Sequence, residues 1–221
     1  MIPGLRVAID ERAVVVAAER PLRVLSSAVV GGGFADARAI LNLHVDQGAN
    51  ALAGPATFDT WLETYAHGAG LPAPWVGLLT AAQTEHAVRA EATDWGFHVL
   101  ALATVGLSNR VVAGRVGARP WQPSTINTIV VVDGDPEPAA MVNAALTVAE
   151  VKTLAMIEAD VRDDAGHLAS GTSTDAVVIA ATGRGARARF GGPASELGAT
   201  IAHAVREALT RGIRAWQERH P

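Results

Sequence analysis

The chain has 221 residues, 49% hydrophobic and 18% charged, a balance that fits a compact globular protein and excludes a disordered one. Its net charge of −4 leaves no basic footprint for nucleic acid, and the absence of cysteine removes thiol nucleophiles, disulfides, thiolate-bound zinc and iron–sulfur clusters. The N-terminal residues lack the pattern of a signal peptide, and no run of about 18 apolar residues reads as a membrane span. One cytoplasmic domain over residues 1–221 is therefore expected, with no nucleic-acid or membrane partner and a homodimer as the default oligomer.

In chain order, Leu5 to Glu19 reads as a β-hairpin turning at Asp10-Glu11-Arg12. Arg23 to Val30 reads as a strand running into Gly31-Gly32-Gly33, where the backbone is free to take positive φ or approach a ligand closely. This is neither a dinucleotide fingerprint nor a P-loop, because the G-x-G-x-x-G spacing and any Gly-Lys-Ser/Thr are missing. Ala39 to Asp46 alternates: Leu41, Leu43 and Val45 point one way, and Asn42, His44 and Asp46 the other. The polar triplet reads first as a solvated sheet face, and second as a wall of hydrogen-bonding groups in a cleft.

Thr57 to Ala66 has the spacing of an amphipathic helix, with Phe58, Trp61, Leu62 and Tyr65 on its core side. Trp75 to Ala82 reads as a strand, and Gln83 to Gly96 fits either a helix or half of a hairpin. His98 to Val105 is a strand leading into Gly106-Leu107-Ser108-Asn109, and Arg115 to Pro123 reads as a loop.

The chain is organised around Thr125 to Ala181, a strand, a long helix and a second strand. On the helix, Met141, Ala145, Val148, Ala149 and Met156 are expected on one face, with Val142 and Leu146 beside them. Lys152 falls inside that face. It is the single lysine among 18 cationic side chains, the others being arginine. A lysine shifts its pKa and serves as a point charge in ways that arginine does not, so Lys152 is a candidate functional group; the plainer reading is a snorkelling or structurally paired amine. Gly183 to Gly192, with Arg184, Arg187 and Arg189, reads as a solvated turn or a flap. A last helix from about Ala194 to Gln217 packs through Leu197, Ile201, Val205, Leu209 and Trp216, leaving His203 on the surface. The fold class is α+β: an α/β sandwich of a mixed sheet with long packed helices.

Four blocks in order carry a resemblance: LSSAVVGGGF (Leu25–Phe34), TVGLSNRVVAG (Thr104–Gly114), TINTIVVVDG with AEVKTLAM, and SGTSTDAVVIA followed by GGPASELGATIAHAV. From about residue 20 to 212 the chain resembles the adenosylcobinamide amidohydrolase family of corrinoid salvage. The resemblance implies hydrolysis of the amide joining the aminopropanol arm to a propionate of the corrin ring. The products are adenosylcobyric acid and 1-amino-2-propanol. The cobalt corrinoid is then a small-molecule substrate, with no cofactor and no metal site expected in the protein.

Amide hydrolysis needs an activated nucleophile, donors for the oxyanion and an acid for the leaving amine. Without cysteine, the nucleophile is a Ser, a Thr or a water. Ser108 and Thr174 are the candidate hydroxyls; Lys152 with Asp175 would manage protons. Asn109 and Asn127 would bind the scissile amide, and Ser27, Gly32, Asn42 and His44 are further candidate binding groups. No G-x-S-x-G or H-E-x-x-H motif is present, and each hydroxyl could instead cap or turn the chain. The rival functions are a corrinoid carrier without catalysis and an amidase acting on another cobamide or peptide amide.

Overall fold

The computed structural model describes residues 1–46, 55–118 and 124–221. Its elements in order are β1 (Leu5–Ile9), β2 (Ala13–Ser26), β3 (Gly33–His44), α1 (Pro55–Gly68) and β4 (Trp75–Thr80). A 3-10 turn (Thr84–His86) leads to β5 (Val88–Asp94), β6 (Phe97–Val105), β7 (Arg110–Val111) and β8 (Ile126–Asp133). There follow β9 (Asp135–Pro136), α2 (Pro138–Glu158), β10 (Gly171–Thr172), β11 (Ala176–Ala181), β12 (Arg187–Ala188) and α3 (Glu196–Arg219). The α+β class holds: eight strands form one mixed sheet in the order β4-β3-β2-β11-β8-β6-β5, with β1 added beside β2.

The sheet folds over on itself. Leu22 and Val24 of β2, Ile40 of β3 and Leu78 of β4 share one core with Leu102 of β6, Ile129 and Val131 of β8 and Val178 of β11. On the outer side of β6 and β8, Val99, Ala101, Val130 and Val132 pack against Met141, Val148, Ile201, Val205 and Leu209 of α2 and α3. On the outer side of β3 and β4, Leu41, Leu43 and Leu79 pack against Leu62 and Ala66 of α1. Helices thus cover a doubled sheet on both sides, and three apolar layers exclude water.

Several expectations change in detail. The hairpin's second strand and the strand expected at Arg23 are one element, β2. Pro21 is accommodated there because the register with β3 slips between Ala17 and Leu22, where a ladder N–H is not needed. Gln83–Gly96 resolves into the 3-10 turn and β5, which pairs with β6 through a tight turn at Trp95-Gly96. The buried face of α2 is Ala140, Met141, Ala144, Thr147, Val148, Val151, Ala155 and Met156, whereas Val142 and Leu146 are exposed. Ala149 is exposed too, so the expected apolar face was rotated. An alanine- and valine-rich helix is apolar all round, and packing against α3 and the sheet, not periodicity, selects the inner face. By length and composition α2 also qualifies to cross a membrane, contrary to the expectation that no segment would; in the fold it is a core helix.

The helix ends follow local rules. Pro138 occupies the first turn of α2, and Ser195 caps α3 by accepting the Gly198 N–H at 3.1 Å. Residues 119–123 of the expected Arg115–Pro123 loop lie outside the described residues. The arginine-rich segment is tied down in part: Arg184 bonds Asp133 at 2.8 Å and the Pro3 carbonyl at 2.6 Å.

At the β5–β6 hairpin, burial pushes the Glu91 carboxyl up. Hydrogen bonds from Arg89, His98 and the N-terminal ammonium outweigh burial and hold it at about 2. A carboxyl depressed in the fold stabilises fully above its unfolded value near 4.5, and loses that contribution as pH falls towards 2. The Tm difference between wild type and Glu91→Gln should therefore shrink between neutral pH and about pH 2. A difference that stays constant over that range would show that Glu91 contributes nothing through its charge.

Candidate active site

Strands β8 and β11 are parallel, with Ala176 opposite Asn127, and β6 runs antiparallel to β8 with Val105 opposite Ile126. The N-terminal ends of β8 and β11 and the exit of β6 consequently meet at one edge of the sheet. Polar side chains from five segments converge there.

Asp175 is the hub. Its Oδ2 accepts from Lys152 Nζ and from the Thr172 N–H at 3.0 Å. Its Oδ1 accepts from the Ile126 N–H at 3.1 Å and from the Thr172 hydroxyl. Asp175 and Lys152 side chains are only 11% and 16% exposed, so the pair is largely shielded from solvent. Four donors on one carboxylate fix its position, and with it the Lys152 side chain. Residue 171 must be glycine for this arrangement, because a Cβ there would collide with Asp175 Oδ2 and Lys152 Nζ.

A second network runs through the interior between the two halves of the sheet. Asn42 Nδ2 donates to Thr104 Oγ1 at 3.0 Å, and Asn127 Nδ2 donates to Asn42 Oδ1 at 2.8 Å and to the Leu79 carbonyl at 2.9 Å. Thr125 Oγ1 lies 3.3 Å from Asn127 Oδ1 and 2.7 Å from the Thr174 carbonyl, to which it donates. Asn42, Thr104, Thr125 and Asn127 are each no more than 2% exposed. Asn42 therefore does not belong to a solvated face; burying it is tolerated because its amide is hydrogen-bonded. Both Asn127 N–H groups are engaged within the protein, which leaves none for a substrate amide in this conformation.

Ser108 is exposed at the rim. Its N–H and hydroxyl both meet Ser124 Oγ, at 3.0 and 2.9 Å. The Thr174 hydroxyl donates to the Ser124 carbonyl at 3.5 Å, and Asn109 Nδ2 donates to Ser173 Oγ at 2.8 Å. Gly106 lets these strands close up, since a Cβ there would lie 3.0 Å from Ser124 Oγ and 3.3 Å from Ala82 Cβ.

Of the residues singled out from sequence, Lys152, Asp175, Thr174, Ser108, Asn109, Asn127 and Asn42 thus gather at or just behind this edge. Ser27 lies beside it, its Oγ accepting the Val177 N–H at 3.0 Å in continuation of the β2–β11 ladder. His44 and Gly32 stand apart. His44 Nδ1 meets the Ala82 carbonyl at 3.0 Å, and the ring lines a separate cavity of about 810 Å³ with Arg12, Trp61 and Tyr65. Burial and the Asp10 carboxylate push the Tyr65 phenol up, against the opposing pull of Arg12. Gly32 shapes a turn: a Cβ there would lie 2.6 Å from the Ala28 carbonyl oxygen. Sequence reasoning missed Thr104 and Ser124, and it placed Thr125 only as the opening residue of the central strand. Thr125 was within reach, because it stands two residues before Asn127 and so shares its face of the strand.

A cysteine-free α+β fold that gathers an ammonium–carboxylate pair and several hydroxyls at one sheet edge carries the groups that amide hydrolysis uses. The chain belongs to the adenosylcobinamide amidohydrolase family (CbiZ), whose profile matches residues 2–221. Membership makes it an amidohydrolase of the adenosylcobinamide type in general terms. No curated protein matches the chain significantly. Among solved structures it is similar to the PH0078 protein from Pyrococcus horikoshii OT3, at 15% identity and a TM-score of 0.44, covering 96% of this chain and 79% of that one.

Proposed function

We propose that the protein hydrolyses the aminopropanol amide of adenosylcobinamide to adenosylcobyric acid and 1-amino-2-propanol, as a cytoplasmic step of corrinoid salvage. The observation that carries this reading is the family match across residues 2–221. The cobalt corrinoid enters as substrate, and the protein's own groups supply the chemistry. One of the hydroxyls at the edge, among Ser108, Ser124, Thr125 and Thr174, adds to the carbonyl carbon directly or through a water. The C–N bond then breaks and the amine leaves with a proton; on the direct route water then hydrolyses the ester to the carboxylate, and on the water route the acid forms at once.

Lys152 suits two moments of that sequence. Its ammonium, fixed by Asp175, provides positive charge for the oxyanion and a proton for the departing nitrogen. Asp175 already accepts four hydrogen bonds, so its role is to hold Lys152 and the ends of β8 and β10. Asn109 at the rim is a group for the propionamide arms.

The test is incubation of the purified protein with adenosylcobinamide, followed by chromatography and mass spectrometry. Adenosylcobyric acid formed in proportion to enzyme, and surviving exhaustive chelation, supports a hydroxyl- and lysine-based site. Substrate retained but intact would favour a carrier. A ring-free aminopropanol amide turned over equally well would show that the corrin is not what the protein recognises.

A further inference from the structure

The buried network has one end at the reaction edge. From Thr104 through Asn42 and Asn127, each side chain is hydrogen-bonded to the next, and the series terminates on the Thr125 hydroxyl. Buried amides are costly unless every group is paired, and here the pairing fixes Asn127 Oδ1 towards Thr125. Asp175 is fixed one residue on, through the Ile126 N–H. Among the four hydroxyls at the edge, Thr125 is thus the one that both networks position.

Two features of Thr125 are nonetheless incompatible with turnover of a separate substrate in the intact chain. Its hydroxyl is bonded to an amide oxygen and a backbone carbonyl, neither of which takes up a proton at neutral pH. It is also only 2% exposed, as is Ser124 before it. A threonine nucleophile needs a base, and its own α-amino group is a competent one when that nitrogen is free. In the intact chain this nitrogen is acylated by Ser124. The Ser124 carbonyl oxygen accepts from the Thr174 hydroxyl, which places a donor where charge would develop if that carbonyl were attacked.

We propose that the protein cuts its own Ser124–Thr125 bond, freeing the Thr125 α-amine to act as base for the Thr125 hydroxyl as nucleophile. The Thr125 oxygen adds to the Ser124 carbonyl carbon, the C–N bond breaks, and the nitrogen leaves with the hydroxyl's proton. Water then hydrolyses the resulting ester to a Ser124 carboxylate and restores the hydroxyl. The new N-terminus stays seated, because the Thr125 carbonyl still accepts the Gly106 N–H at 3.0 Å and β8 remains paired on both sides. The Ser124 end is released, opening the edge. The role of Thr125 towards substrate rests on the amidohydrolase reading; the cut itself does not.

Intact-mass spectrometry and N-terminal sequencing of the purified full chain test the proposal without substrate. Two chains are expected in place of one of 22.8 kDa, their masses summing to the intact chain plus one water, with the second beginning at Thr125. Thr125→Ala and the near-isosteric Thr125→Val should remain single chains with native circular dichroism, and Thr125→Ser should still cut. A folded wild type that stays whole overturns the proposal whether or not it is active. So does a cut elsewhere, or cutting that persists in Thr125→Val. Loss of the corrinoid activity in a correctly cut protein would instead count against the amidohydrolase reading alone.

Discussion

Replacing Lys152 by arginine is expected to lower kcat for aminopropanol release by at least about 100-fold, with little change in corrinoid affinity. Arginine keeps the charge, but its planar guanidinium neither matches the compact ammonium seat beside Gly171 nor gives up a proton at working pH. A charge-only role would leave the Lys152→Arg rate close to wild type, and that result would remove Lys152 from the proton chemistry. The companion measurement is rescue. In Lys152→Ala, an added small alkylamine should restore part of the rate with a dependence on the amine's pKa, which a merely structural lysine would not show. Corrinoid binding followed by its visible absorption separates the affected step, since a group used only in the transition state changes kcat and leaves Kd nearly fixed.

Asp175→Ala should be the most damaging single change to the fold at this edge, costing about 3 kcal/mol, or roughly 6–12 °C of Tm. The substitution strands a shielded ammonium, and it removes the acceptor for the Ile126 and Thr172 N–H groups and the Thr172 hydroxyl. Removing one partner of a buried pair costs more than the pair itself contributes, because the remaining charge is left without compensation. The side chains keep 11% and 16% exposure, which places the cost at the lower end of the range for such pairs. The double variant Asp175→Ala/Lys152→Met should recover part of the loss by removing the orphaned charge. If the double variant is no more stable than the single one, the ion pair is not the source of the effect.

The helix that carries Lys152 shows where sequence patterns lose their power. Its existence and length were legible, because Gly134-Asp135-Pro136 marks a break before it and about six turns of helix-forming residues follow. Its inner face was not, because an apolar surface all round gives periodicity nothing to choose between. The neighbouring α3, with charge on one side and Leu197, Ile201, Val205 and Leu209 on the other, was readable in both respects. The alternation of β3 was also correct, yet the exposure inferred from it was not. A strand's pattern separates two faces but does not say that a second layer of sheet will cover the polar one.

The α+β class, the strand–helix–strand centre, the singular lysine and the absence of thiol chemistry are all legible in the sequence, since they follow from local propensity and from residue type. The sequence also placed Asp175 at the mouth of β11 as a partner for Lys152, because a strand start after Thr172, Ser173 and Thr174 is a local feature. Long-range packing makes the sheet double over, and with it brings Asn42 to Asn127 across 85 residues of chain. The same folding brought Ser108 to Ser124 and made Thr125 the end of a buried network, while leaving His44 in a different cavity. These are contacts between segments far apart in sequence. They are set by which apolar faces bury against one another, a property of the whole chain that no single stretch encodes.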